Sequence, residues 1–176
     1  EDVDARTQAA RIGFVQQSPE NQIVTDKVWH ELAFGLESLG EDTPTIRRRV
    51  AEMASFFGIE GWFHKDVTEL SGGQKRRVAI AGVMAMEPEG LILDEPTAGL
   101  DPKGRDEILD QVAKLREETG MTVILVSHSM EDVARYVDRI IVMNKSRVMF
   151  DDAPKMVFRH YKELEEVGLA APQITY

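Results

Sequence analysis

Two adjacent carboxylates follow a short apolar segment near the middle of the chain. The segment Leu91-Ile92-Leu93 reads as a strand that delivers Asp94 and Glu95 at its carboxyl end, where α/β sheets place ligands. Neighbouring side chains on an extended chain point in opposite directions. One acid could therefore hold a hydrated Mg²⁺ while the other orients a water, as phosphoryl transfer requires. Taken alone, the pattern is explained equally well by a strand and an acidic turn.

A second candidate segment places small residues at the start of a helix. Ser71, Gly72 and Gly73 precede Gln74 and a basic, then apolar run, so N–H groups beside the positive end of the helix dipole could bind an anion. By itself Ser-Gly-Gly is more often a simple helix cap. His128 follows a third apolar segment, and a lone histidine is more often structural than catalytic.

Alternating strands and helices must position these residues. From residue 72 onward the alternation predicts a doubly wound α/β layer, and the nearly all-apolar run at 121–126 predicts a strand buried on both faces. Thr43 is predicted to be the N-cap of a helix, and Gly40, Gly58 and Gly120 to end helices. The predicted strands cover residues 11–16, 91–93, 121–126 and 139–143, and the predicted helices cover 27–39, 44–57, 74–86, 102–118, 129–137 and 157–168.

Composition excludes several classes of protein. The 176 residues carry a formal net charge of −10, which argues against a chain that grips nucleic acid, because phosphate contacts need clustered Lys and Arg. There is no cysteine, so disulfides, thiolate zinc sites and thiol catalysis are excluded. The longest apolar run has nine residues, 78–86, against about 20 needed to span a bilayer, and the acidic start lacks the features of a secretory signal. We expect a soluble, cytoplasmic chain.

The order of the motifs resembles that of the ATP-binding-cassette (ABC) ATPases along nearly the whole chain. Gln17 matches the functional glutamine of the Q-loop, although Gln16 stands where an aromatic residue is common. The other matches are the signature motif at residues 70–74 (LSGGQ), the Walker B motif at 91–96 (LILDEP), the D-loop at 98–101 and the switch histidine at His128.

The resemblance implies a P-loop NTPase-like α/β fold with a mostly parallel sheet and a helical subdomain. The implied organisation is a Q-loop strand and the start of the ATPase core at 1–24, the helical subdomain at 25–70, the rest of the core at 71–150 and a helical extension at 151–176. The resemblance also implies that the intact protein binds and hydrolyses ATP to power an ABC-type importer, with ATP and Mg²⁺ as cofactors. It implies two partners, a second ABC ATPase subunit (identical or paralogous) and a transmembrane transporter subunit, and a peripheral location on the cytoplasmic face of the membrane.

Site roles also follow from the resemblance. Glu95 would act as general base and Asp94 would hold Mg²⁺ through water, while Gln17 would sense the metal and the γ-phosphate. The remaining implied nucleotide contacts are those of Ser71, Gly72 and Gly73 with the γ-phosphate across the subunit interface, and of His128 with the γ-phosphate. Gln74 and Asp101 are also implied to bind the nucleotide.

A narrower resemblance concerns the energy-coupling-factor branch, importers of cobalt, nickel or vitamins. It is carried by the segment at 19–23 (PENQI) and by the tail segments at 153–158 and 163–169. Other importers and exporters remain alternatives, and the transported substrate is not determined by the sequence.

One motif of the family is absent from the printed sequence. The phosphate cradle is G-x-x-x-x-G-K-[ST], yet the two stretches with the right glycine spacing, 35–40 and 99–104, are followed by Glu-Asp and Arg-Asp. Only 16 residues precede Gln17, whereas a strand–loop–helix unit needs about 30. We therefore expect this chain to be the C-terminal part of an ABC subunit, with an exposed sheet edge and exposed apolar surface.

Two alternative functions stay open. The chain by itself could be an inactive module that retains only the signature half-site and a partner surface, with negligible affinity for ATP. It could also belong to a non-transport ABC ATPase, although it has neither the cysteines nor the long heptad arms usual there. A zinc protease is excluded because His30-Glu31 is followed by Phe34 instead of a second histidine.

Overall fold

The computed structural model describes residues 5–18 and 21–170, which form two compact units, one up to Val126 and one from Ser127. Pro19 and Glu20, within the segment that suggests the energy-coupling-factor branch, lie outside the described residues. No helix in the described ranges is both long and apolar enough to cross a membrane.

The first unit is a parallel sheet covered by helices. Its three strands lie in the order β1-β2-β3 and all pairs are parallel, which confirms the predicted α/β class. The elements are α1 (Ala5–Arg11), β1 (Ile12–Val15), α2 (Val28–Leu39), α3 (Thr43–Phe56), α4 (Gly72–Ala85), β2 (Gly90–Asp94), α5 (Pro102–Thr119) and β3 (Thr122–Val126), with 3₁₀ turns at Glu60–Trp62 and Val67–Glu69. The short helix α1 was not predicted.

One face of the sheet packs on α4. Val15, Leu91 and Leu93 on this face are fully or almost fully buried. The strand β1 runs so close to α4 that a Cβ at Gly13 would lie 2.3 Å from Cγ1 of Val83. Glycine at position 13 is thus required by the close approach of strand and helix.

The opposite face is exposed, which corrects the prediction for β3. Thr122, Ile124 and Val126 are exposed on this face, together with Ile12 and Phe14 of β1. Within the described residues, helices cover one side of the sheet, where Val123 and Leu125 of β3 are partly buried against the core.

Helix ends follow capping chemistry. The N-cap of α3 is Asp42, whose carboxylate accepts a hydrogen bond from the Thr45 amide at 2.8 Å, so the prediction of Thr43 was wrong by one residue. Both residues can cap a helix, but Asp42 is the one with extended backbone geometry. Gly40 and Gly120 end α2 and α5 in the left-handed conformation, as predicted.

The second unit is built on a hairpin. It contains α6 (Met130–Tyr136), β4 (Ile140–Asn144), β5 (Arg147–Asp152), α7 (Pro154–Val157), a 3₁₀ turn (Phe158–His160) and α8 (Tyr161–Glu166), with β4 and β5 antiparallel. The strand β5 was not predicted. The helix predicted at 157–168 begins earlier, at Pro154, whose fixed φ suits a first turn, and it is interrupted where Phe158 enters the core.

Candidate functional site

The two carboxylates lie at the carboxyl end of the central strand. Asp94 is the last residue of β2 and is partly buried. Glu95 leaves the strand with φ of +46°, a left-handed conformation that costs an L-residue about 1 kcal/mol or more. Its amide donates to the Val126 carbonyl at 2.8 Å, so the end of β3 holds this bend in place. Strained non-glycine backbone of this kind is concentrated at functional sites.

The D-loop continues directly from Glu95. The Ala98 amide donates to the Glu95 carbonyl at 3.1 Å and the Leu100 amide to the Thr97 carbonyl at 3.2 Å, which makes two consecutive turns. Asp101 then caps α5, with its carboxylate accepting from the Gly104 amide at 2.8 Å. The structure therefore gives Asp101 a capping role, and its predicted nucleotide contact remains a prediction.

The signature segment begins α4 through a capping box. The Ser71 hydroxyl accepts from the Gln74 amide at 3.2 Å, and the Gln74 side chain accepts from the Ser71 amide at 2.9 Å. These bonds engage the Gln74 side chain within its own helix end. The first N–H groups of a helix have no intrahelical partner, and here they belong to Gly72 and Gly73.

Gly72 is open to its surroundings. It is exposed, its φ is not left-handed, and a Cβ built there would meet no described atom within 4 Å. Neither backbone conformation nor packing within the described chain requires glycine at this position. An external group therefore has room to approach the helix end at this position.

Gln17 follows β1 at the same edge of the sheet and is exposed. The neighbouring Gln22 braces this segment, since its side chain donates to the Phe14 carbonyl and accepts from the Gln16 amide, both at 2.9 Å. Just beyond, the buried carboxylate of Glu31 accepts from the amides of Val24 and Thr25 at 3.1 and 3.0 Å. Gln22 thus braces the backbone just before Gln17, and Glu31 holds the segment that leads into α2.

Arg76 joins three of these segments. This α4 residue is only 7% exposed. Its Nη1 donates to the Ala98 carbonyl at 2.7 Å and its Nη2 to the Gln17 carbonyl at 3.2 Å. The start of α4, the loop after β1 and the turn after β2 therefore converge on one guanidinium. Sequence reasoning assigned Arg76 no role; the available signal was a charged residue in helical register with the apolar Ile80 and Val83.

His128 belongs to the second unit. It is exposed, two residues after the end of β3, and Ser127 beside it accepts a hydrogen bond from the Ser129 amide at 3.0 Å. Its predicted contact with a γ-phosphate stays a prediction.

A metal ion would find two adjacent, partly buried carboxylates here, those of Asp94 and Glu95. Among the described residues, no three His, Cys, Asp or Glu side chains converge as metal ligands. Mg²⁺ is commonly held by one or two carboxylates together with substrate phosphates and waters. Asp94 fits that mode of binding, in which phosphate oxygens supply much of the coordination.

Comparison with known families and proteins agrees with this arrangement. The family model described as "ABC transporter" matches residues 2–98, and an AAA-domain model matches residues 66–133. Energy-coupling factor transporter ATP-binding protein EcfA2 of Clostridium tetani is 52% identical over 94% of this chain and 58% of its own length. The protein of the same name from Acetivibrio thermocellus is 52% identical over 94% and 59%. The chain thus spans somewhat under two thirds of the length of these relatives.

Solved structures show the same fold. The structure of cbiO1 from Clostridium perfringens, part of the ABC transporter complex cbiONQ, has a TM-score of 0.82 and 39% identity, covering 99% of this chain and 70% of that one. The dimeric post-hydrolysis structure of MJ0796 bound to ADP and Pi has a TM-score of 0.75 and 27% identity, covering 87% and 68%. With a family model matching more than half of its residues and a shared fold at this level of identity, the chain belongs to the ABC transporter family.

Proposed function

We propose that this protein, at its full encoded length, binds and hydrolyses ATP to drive an energy-coupling-factor importer. The observation that carries the proposal is the convergence of the Gln17 loop, the Glu95 turn and the signature end of α4 at one edge of the sheet. Relatives named as energy-coupling-factor ATP-binding proteins, at about half identity, support the choice of branch.

Each site residue has a role in this proposal. Glu95 orients the attacking water and accepts its proton, a role that needs the carboxylate within hydrogen-bond reach of that water. Asp94 holds Mg²⁺ through water, and Gln17 contacts the metal and the γ-phosphate. The bound ion would neutralise charge on the transferring phosphoryl group.

The signature end of α4 acts on a nucleotide held by a second subunit. Ser71, Gly72 and Gly73 present N–H and hydroxyl groups to the γ-phosphate, where a helix N-terminus favours negative charge. The openness around Gly72 supports this role. The other contacts that we propose, on the resemblance, are those of Gln74, Asp101 and His128.

The partners follow from the same proposal. A second ABC ATPase subunit, identical or paralogous, completes the nucleotide site, and a transmembrane subunit receives the motion at the cytoplasmic face of the membrane. The structure of cbiO1 is described as part of a transporter complex and that of MJ0796 as dimeric, which supports both partners. We propose that the transported substrate of this importer is a metal ion or a vitamin.

The test compares Glu95→Gln with Glu117→Gln in the protein at its full encoded length. Glu117 is exposed on α5, so its variant removes the same charge far from the proposed chemistry. Glu95→Gln should retain ATP binding and lose at least about 100-fold in hydrolysis, since a general base contributes this much. Glu117→Gln should hydrolyse ATP normally. Normal turnover in Glu95→Gln would refute the assignment.

A second candidate concerns the 176 residues alone. Because the printed sequence contains no G-x-x-x-x-G-K-[ST], we propose that this chain by itself has negligible affinity for ATP and acts only as a signature half-site. Calorimetry that detects micromolar MgATP binding to the 176-residue chain would overturn this. Co-purification with a membrane subunit would separate the importer from a non-transport ABC ATPase.

A further inference from the structure

Arg76 is a buried cation in a helix whose neighbouring buried residues are apolar. It is 7% exposed, and the residues that follow it in helical register, Ile80 and Val83, belong to the hydrophobic core. Burying a guanidinium costs several kcal/mol unless its donors are used. An apolar side chain would fill this position at a lower cost, so the arginine calls for an explanation beyond packing.

The guanidinium spans two loops that are far apart in sequence. Its Nη1 donates to the Ala98 carbonyl at 2.7 Å and its Nη2 to the Gln17 carbonyl at 3.2 Å. Ala98 is itself tied to the Glu95 carbonyl through its amide at 3.1 Å. The planar fork of an arginine suits two acceptors at fixed positions, whereas the compact ammonium of a lysine does not.

From these contacts we infer that Arg76 is a positioning residue, which sets the Gln17 loop and the Glu95 turn relative to the signature end of α4. The inference rests on the proposed function. In the proposed dimer, the first turn of α4 contacts a nucleotide held by the second subunit. A movement of α4 on binding would then be transmitted through Arg76 to Gln17 and Glu95, which belong to the nucleotide site of its own subunit. Arg76 therefore couples the position of the signature segment to the positions of the two loops.

A first experiment tests, without nucleotide, whether Arg76 holds the two loops in place. Hydrogen exchange is followed in the protein at its full encoded length for the amides of Ala98 and Leu100, which close the turns after Glu95. In Arg76→Met, which keeps an unbranched apolar stem but is shorter and has no N–H donors, their exchange should rise by about tenfold or more, as expected when a charged hydrogen bond is lost. Unchanged exchange would overturn the inference.

The matched control lies on the same helix. Arg77 is half-buried and pairs with Glu107 of α5, so Arg77→Met also removes a cation and an α4–α5 contact. It should leave the exchange of Ala98 and Leu100 unchanged. An equal rise in the exchange of these amides in both variants would show general loosening of α4 and would refute a specific positioning role of Arg76.

A second experiment uses steady-state hydrolysis by the same protein. Arg76→Met should lower kcat by about tenfold or more and leave KM for MgATP within about threefold, because the side chain positions reacting groups and does not touch the nucleotide. Arg76→Lys, which retains the charge but not the planar fork, should lose nearly as much activity as Arg76→Met. A raised KM at normal kcat, or full activity in Arg76→Lys, would overturn the inference.

The two experiments separate the inference from the proposed function. If the unaltered protein fails to hydrolyse ATP, the proposed function fails, while the exchange measurement still decides whether Arg76 holds the two loops. If hydrolysis proceeds and the exchange of the loop amides is insensitive to Arg76→Met, the inference alone fails.

Discussion

Replacing Gly72 by alanine should separate the fold of this protein from its function. Gly72 is the first residue of α4 and has ordinary backbone geometry, and a methyl group added there would have no described atom within 4 Å. Alanine is a better helix former than glycine by about 1 kcal/mol in helix interiors, and the loss of glycine also restricts the unfolded chain by a few tenths to about 1 kcal/mol. At the first helical position we expect about 0.5 kcal/mol of stabilisation.

A control on the same helix has the opposite expectation. A Cβ at Gly82 would lie 3.1 Å from the Glu31 carbonyl oxygen of α2, a backbone atom that cannot rotate away. Overpacking of this kind costs about 1–3 kcal/mol, which exceeds the gain in helix propensity. Gly82→Ala should therefore destabilise the protein by about 1 kcal/mol, although the substitution is chemically identical to Gly72→Ala.

The assay pairs urea unfolding with ATP hydrolysis. Unfolding of the 176-residue chain can be followed through the fluorescence of Trp29 and Trp62, both in the helical part of the first unit. In the protein at its full encoded length, Gly72→Ala should reduce hydrolysis by at least about tenfold, because a methyl group would stand between the helix N–H groups and an incoming phosphate. A Gly72→Ala variant that is less stable by over about 1 kcal/mol would show that the fold needs this glycine. Unaltered hydrolysis would show that no group approaches it.

Three further outcomes can be measured. Glu95→Asn should raise the midpoint of thermal unfolding, because asparagine tolerates the left-handed φ of +46° better than glutamate does. The same substitution should abolish ATP hydrolysis in the protein at its full encoded length. A lowered midpoint would argue that the backbone at Glu95 carries no strain. Hydrogen bonding from Thr45 lowers the pKa of the Asp42 carboxylate from its ordinary 3.8, so the stability that this carboxylate provides is present above pH 3.8 and is lost as the pH falls through the lowered pKa. Asparagine is a cap that does not titrate, so the urea midpoint of Asp42→Asn should fall less than that of the unaltered protein when the pH is changed from neutral to acid. Parallel pH dependence of the two proteins would contradict this. Lys145→Asn with Ser146→Gly should stabilise the second unit by about 1 kcal/mol, since both residues of this two-residue hairpin turn have left-handed φ, +48° and +61°; unchanged hydrogen exchange along β4 would refute it.

Local chemistry in the sequence was sufficient to predict the elements that carry the proposed catalytic groups. The apolar run before Asp94 is short and is bounded by turn-forming residues, so it indicated β2 almost to the residue. Helix ends at Gly40 and Gly120 were predictable because a left-handed C-cap favours glycine. Asp42 and Thr43 are adjacent and both can cap a helix, and the higher N-cap preference of aspartate agrees with the observed cap.

The parts of the site that depend on tertiary contacts were not predictable. Nothing in the local sequence indicates that Glu95 adopts a left-handed conformation, since glutamate rarely does so, and the Val126 carbonyl that holds it lies on another strand. The contacts of Arg76 reach 22 and 59 residues along the chain. In a single sequence this arginine reads as one of several basic residues after a glycine-rich cap.

The third strand shows how an accurate pattern can give an incomplete answer. The apolar run at its core predicted burial on both faces, yet Ile124 and Val126 are 53% and 48% exposed, and Phe14 on the same face of β1 is 46% exposed. The described helices pack on the other face, where Leu91 and Leu93 are fully or almost fully buried. The apolar side chains of β3 therefore form part of an exposed patch in the described chain, and the prediction of burial on both faces was wrong for this strand. An apolar run does not show which face the helices cover, because that depends on where the helices pack, which no local pattern encodes.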